Sequence, residues 1–193
     1  MTTDRTGLRP SLTALVTLVV AAVLTVTVAS TSEARAPSAH EDRYVLPSGD
    51  APAGTTRAEL QSSGVLVRDF EPPTVRWGAG HRGVDLRSGD GATVVAPQAG
   101  VVTFVGVVVD RPLIVISHPD GLRSTLEPVT STLTTGTSVG RGDVLGSLAP
   151  DVATHCAPDA CLHWGVRRAE EYIDPLELVV EREAVILLPL DHT

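Results

Sequence analysis

The ten residues "GVVTFVGVVV", Gly100–Val109, decide the fold. Six are valine and none is charged. A branched β-carbon restricts side-chain rotation and packs well on a pleated surface, so the run reads as a strand. Working outward, similar short runs recur on both sides. "GVLVRDF", "ATVVAP", "PLIVIS", "LRSTL", "DVLGSL" and "CLHWGVR" each read as a strand. Glycine, proline and aspartate separate them. Asp90-Gly91 and Pro119-Asp120-Gly121 are turn signals, and "SHPDGLR" reads as a hairpin connection. Many short strands at close spacing predict an all-β, sandwich- or barrel-like domain over residues 64–180. Aromatic residues are 3% of the chain, so Val, Leu, Ile and Ala must build its core.

The 193 residues allow one ordinary domain with appendages. Arg5 and Arg9 precede an uncharged apolar run, Ser11 to Val28, and Ala34-Arg35-Ala36 has the small-x-small form of a signal-peptidase site. Pro37 would be the first mature residue, and the run approaches the length of a membrane span. Residues 1–36 are therefore expected to be a signal peptide or signal anchor, a helical targeting segment and the sole membrane contact, with everything after it exported. Residues 37–63 lack periodicity and read as a flexible linker. Near the end, Asp174 can cap a short helix with Pro175 in its first turn, followed by "LELVV". The tail, residues 181–193, holds "AVILLPL" and reads either as an added edge strand or as a frayed end.

Export sets the redox context for Cys156 and Cys161. Outside the cytoplasm, two cysteines so close usually close a disulfide, and a loop this short contributes roughly 2 kcal/mol. The formal net charge is −8, with no basic patch and no basic-aromatic interleaving, which excludes nucleic acid as the expected partner.

Two stretches carry chemistry. In "GHRGVDL", His81 and Asp85 are four apart, with glycines at 80 and 83 that oppose a helix. In an extended strand they share a face but stand roughly 13 Å apart, so the backbone must bend or the side chains lean, and Gly83 would permit a bend. In "CLHWG", His163 would complete a set of two imidazoles and one carboxylate. Three protein ligands with an open fourth position is the arrangement of a catalytic zinc. Cys161, two residues before His163, points to the same side of its strand. It can pair with Cys156, bind zinc as a thiolate and close the site, or remain a buried thiol. Trp164 then faces the core, and His118, before a turn, reads as structural. Trp77 and Arg82 lie near the first motif, where they can line a groove.

"GHRGVDL", "GATVVAPQAGVVTFVG", "IVISHPDGLRSTLEPV", "TGTSVGRGDVLGSL" and "LHWGVR", in order over about residues 66–179, resemble the lysostaphin-type (LytM-type) zinc endopeptidases of bacterial cell walls. The resemblance implies that His81, Asp85 and His163 bind Zn2+ and that the substrate is the peptide part of peptidoglycan. It also exposes two departures. The family's later His-x-His has Cys161 in its first place here, and Pro128 stands where a second histidine belongs. Those histidines help orient water and stabilise the developing oxyanion, and losing such a helper costs on the order of 10²-fold in rate. His155, beside the cysteine loop, and Glu127, beside Pro128, are the candidate replacements. Two functions follow as expectations. One is a zinc endopeptidase acting on peptidoglycan stems or cross-links. The other is a catalytically degenerate, zinc-stabilised domain that binds peptidoglycan or a partner protein and regulates another hydrolase. The acidic net charge does not favour an anionic wall polymer.

Overall fold

The computed structural model describes residues 43–48, 55–150, 152, 154, 156–157 and 159–179. The valine-rich runs become antiparallel strands: β1 Leu66–Arg68, β2 Val84–Arg87, β3 Thr93–Val95, β4 Gly100–Val108, β5 Arg111–Ser117, β6 Leu122–Glu127, β7 Val129–Thr130, β8 Ser138–Val139, β9 Val144–Leu148, β10 Cys161–Arg168 and β11 Glu171–Ile173. The larger sheet runs β1-β2-β10-β6-β5-β4-β8, with β11 also on β10, and a smaller sheet runs β3-β9-β7. The all-β expectation holds as two antiparallel sheets rather than a closed barrel.

One apolar cluster joins both sheets. Val84, Leu86, Ile114, Leu126, Leu162 and Trp164 come from the larger, and Val94, Val129, Leu145 and Leu148 from the smaller. Alternation along β6 is clean: Leu122, Ser124 and Leu126 are buried while the residues between them are not. Trp164 pairs in register with Val84 on one side and Leu126 on the other, so it faces the core. Its odd-numbered neighbours in β10 take the opposite face.

The linker expected over residues 37–63 needs correction in its described parts, residues 43–48 and 55–63. Tyr44, Leu46 and Leu60 belong to the core cluster, and residues 57–62 form a helix, α1 (Arg57–Ser62). Val45 N–H donates to the Pro97 carbonyl (2.8 Å), and Val95 N–H to that of Pro47 (2.8 Å). Six residues with apolar side chains at alternate places give too short a period to stand out from polar surroundings. The helix did leave a signal: Thr56 and Glu59 form a reciprocal capping box, legible as "TRAE". The C-terminal helix is a single 3-10 turn, Pro175–Leu178, with Asp174 accepting from the Leu176 N–H. The targeting segment and the tail, residues 181–193, lie outside the described residues. Among the described residues, no helix is long and apolar enough to cross a membrane.

Candidate metal centre

Three adjacent strands build the site. His163 on β10 stands directly opposite Asp85 on β2 and Glu127 on β6. Directly opposed residues in an antiparallel pair point to one face, so Asp85, His163 and Glu127 form a row across the sheet. His81 joins from outside β2. It makes an isolated bridge with Glu71, the two exchanging N–H to carbonyl bonds of 3.0 and 2.8 Å. The chain then bends at Arg82–Gly83 and returns His81 over Asp85. Gly83 matters through close approach: a β-carbon there would lie 2.4 Å from the Trp164 carbonyl oxygen and 2.8 Å from His163 Nε2.

The ligand atoms converge. His81 Nε2 lies 3.1 Å from Asp85 Oδ1 and 3.2 Å from His163 Nδ1, and His163 Nδ1 lies 2.8 Å from Asp85 Oδ1. Among the described residues, these three side chains form the one cluster of potential metal ligands. His81 Nδ1 is 2.7 Å from the Asp69 carbonyl, which can only accept, so Nδ1 carries the proton and Nε2 presents a lone pair to the cluster. Asp69 thus acts as an outer partner that fixes ring and tautomer. A tetrahedral zinc with ligands at 2.0–2.1 Å sets those ligands about 3.3 Å apart, and the observed triangle is slightly tighter than that. The donor set and its size fit zinc. Burial alone would push the Asp85 carboxyl up; His163 and His81 beside it outweigh that and hold it well below the usual carboxylate range.

A small pocket lies beside the triad, lined by Asp85, His163, Cys161, Glu127, Arg111, Pro128, Val152 and Thr154. Glu127 Oε1 accepts from Arg111 Nη1 at 3.3 Å. Cys161 is bonded to Cys156, and no free cysteine remains, so of its three expected states the disulfide is the one formed. His155 lies outside the described residues. His118 is buried in the core, far from solvent, between the Ala99 carbonyl (2.9 Å) and the Ser124 hydroxyl (2.8 Å). Trp77 and Arg82 line a separate groove. The sequence reading missed Asp69 and Arg111. Asp69 acts through a backbone carbonyl that any residue offers, and Arg111 reaches the pocket only through strand pairing.

A carboxylate and two imidazoles converging on one face of an antiparallel sheet form a potential metal-binding cluster. The description "Peptidase family M23" matches residues 79–175, half of the chain, and the chain belongs to that family, the lysostaphin (LytM) type whose motifs it carries. It is 38% identical over 126 residues to the uncharacterized protein Rv2891 of Mycobacterium tuberculosis, covering 62% of this chain and 49% of that one. A Mycobacterium bovis protein, Mb2915, matches to the same extent. The chain therefore spans about half the length of the curated relatives it matches. Among solved structures, a zinc containing peptidase from Vibrio cholerae superposes with TM-score 0.52 at 18% identity, over 73% of this chain and 41% of that one. Csd3 of Helicobacter pylori gives 0.50 at 22%, over 63% and 34%. At these identities the likeness concerns the fold.

Proposed function

We propose that this domain is an exported zinc-dependent endopeptidase acting on the peptide stems or cross-links of peptidoglycan. The observation that carries it is the convergence of His81 Nε2, Asp85 Oδ1 and His163 Nδ1 within 3.2 Å of one another beside a small pocket. These atoms would hold the ion with a fourth position left for water or substrate. Zinc in such a set lowers the pKa of water and polarises a carbonyl. The chain's own groups supply the rest. Asp69 fixes His81, and Glu127, the strand partner of His163, would accept a proton from water held beside it. Arg111 anchors Glu127 and puts a permanent positive charge on the pocket wall.

A second reading rests on Cys161 and Pro128. A disulfide sulfur and a proline ring can neither donate nor accept a proton in turnover. If Glu127 does not replace them, the domain binds wall peptide or a partner protein and regulates another hydrolase. One preparation decides. Full-length protein is assayed for zinc and incubated with peptidoglycan with and without chelator. New amine termini that disappear with chelator, in His163→Ala and in Glu127→Gln support the enzyme. One equivalent of zinc with no cleavage supports the binding domain.

A further inference from the structure

The face of β10 that carries His163 continues beyond the metal triad. His163, Gly165 and Arg167 alternate along the strand and share that face, which puts Arg167 roughly 13 Å from His163. Gly165 sits at a seam, where pairing with β2 ends at Trp164 and pairing with β11 begins at Val166. It is buried where residue 82 crosses the strand, and a β-carbon there would approach the Arg82 carbonyl to 3.0 Å. A groove opens past it, walled by the Pro72–Trp77 segment and the β10–β11 hairpin.

This groove reverses the sign of the chain. Arg76, Arg82, Arg167 and Arg168 line it against Glu170 and Glu171, on a chain of formal net charge −8. The arginines are under-supplied with acceptors. One oxygen of Glu170 serves both Arg76 (3.1 Å) and Arg167 (2.7 Å). Arg82 Nη2 donates to the carbonyls of Arg76 and Gly78, at 3.1 and 3.0 Å, and among the described residues meets no carboxylate. Arg168 is exposed and, among the described residues, unpaired. Arg167 Nε is buried without a hydrogen-bond partner. With one carboxylate oxygen shared between two arginines, donors exceed acceptors in this groove, and a planar fork of donors fits a carboxylate. Trp77, 85% exposed, offers an apolar platform at the groove wall.

Building on the peptidase reading, we propose that this groove is a subsite for a carboxylate of the substrate peptide. Its ligand is an acidic peptide bearing a carboxylate three or four residues from the amide presented to the metal triad, a span that matches about 13 Å of extended chain. Arg167, on the face that carries His163, takes the carboxylate, Arg168 adds positive charge from the strand end, and Trp77 covers the adjoining apolar part.

The test uses the full-length protein and two labelled synthetic peptides that differ only in Glu or Gln four residues from a central alanyl-glycine amide. Anisotropy titration is expected to show the Glu peptide binding roughly tenfold tighter than the Gln peptide at low salt, less so as salt rises. Arg167→Gln with Arg168→Gln abolishes the preference. Arg168→Gln alone, at an exposed position, reduces it and guards against a misfolded double variant. Equal binding of the two peptides, or an undiminished preference in both arginine variants, overturns the subsite. Wall cleavage without charge preference removes the subsite alone. Charge preference without cleavage by any wall removes the peptidase reading and leaves the subsite standing.

Discussion

The space where a methyl group would sit on Gly83 is already taken by the Trp164 carbonyl and the His163 ring. Gly83→Ala is therefore expected to force β2 and β10 apart beside two of the proposed metal ligands. Overpacking of this kind costs about 1–3 kcal/mol. The expected outcome is a lower unfolding midpoint together with weaker zinc uptake, read by denaturant titration and metal analysis. His118 gives a second prediction at this scale. Its Nδ1–H donates to Ala99, so Nε2 accepts from the Ser124 hydroxyl, which also accepts from Trp164 Nε1 at 3.3 Å. Burial pushes the His118 pKa down, against the opposing pull of the Ala99 carbonyl and Asp120. With the folded value below the unfolded value of about 6.5, the unfolded chain binds more protons in that interval. The stability contributed is complete above the unfolded value and is lost as pH falls through the folded one. His118→Gln is expected to flatten the decline in unfolding free energy between about pH 7 and pH 5 relative to the unmodified protein.

At the scale of elements, the strands and their turns were legible because alternation and β-branching act locally. The hairpin between β4 and β5 breaks a local rule. Val109, 97% exposed, has φ 62°, a left-handed backbone that a β-branched residue resists. Such a conformation costs roughly 1–2 kcal/mol per residue, whereas asparagine tolerates it. Val109→Asn is expected to raise the free energy of unfolding by about 1 kcal/mol with metal binding unchanged, measured by urea denaturation. The capping box of α1 was equally local and equally legible. What hid the helix was the polar composition around it, although its Leu60 is wholly buried.

Across the whole molecule, the segment 43–48 closes the core. Tyr44 is 4% exposed, lies 6.5 Å from the Trp164 ring and donates its hydroxyl to Asp120 at 2.9 Å. Burial, then the bond to Asp120, pushes the Tyr44 pKa up, so the ring stays neutral. Tyr44→Ala is expected to cost about 3 kcal/mol, in the range for truncating a buried aromatic. Fluorescence of the buried Trp164 then shifts to the red before the main unfolding transition. A segment read as a linker would give neither effect.

The sequence by itself determined the strand-rich class, the turn positions, the inward face of β10 and the two motifs that hold His81, Asp85 and His163, because each depends on residues a few positions apart. The tertiary structure decided which strands lie side by side. Pairing β10 between β2 and β6 joins residues 78 apart, His163 and Asp85, and sets Glu127 beside them. It also chose among the states left open for Cys161, enlisted the Asp69 carbonyl, folded residues 43–48 into the core and gathered four arginines into one groove on an acidic chain. The physical reason is that strand register and the burial of apolar faces are settled by the packed whole, and no short-range pattern encodes which distant residue a side chain will meet.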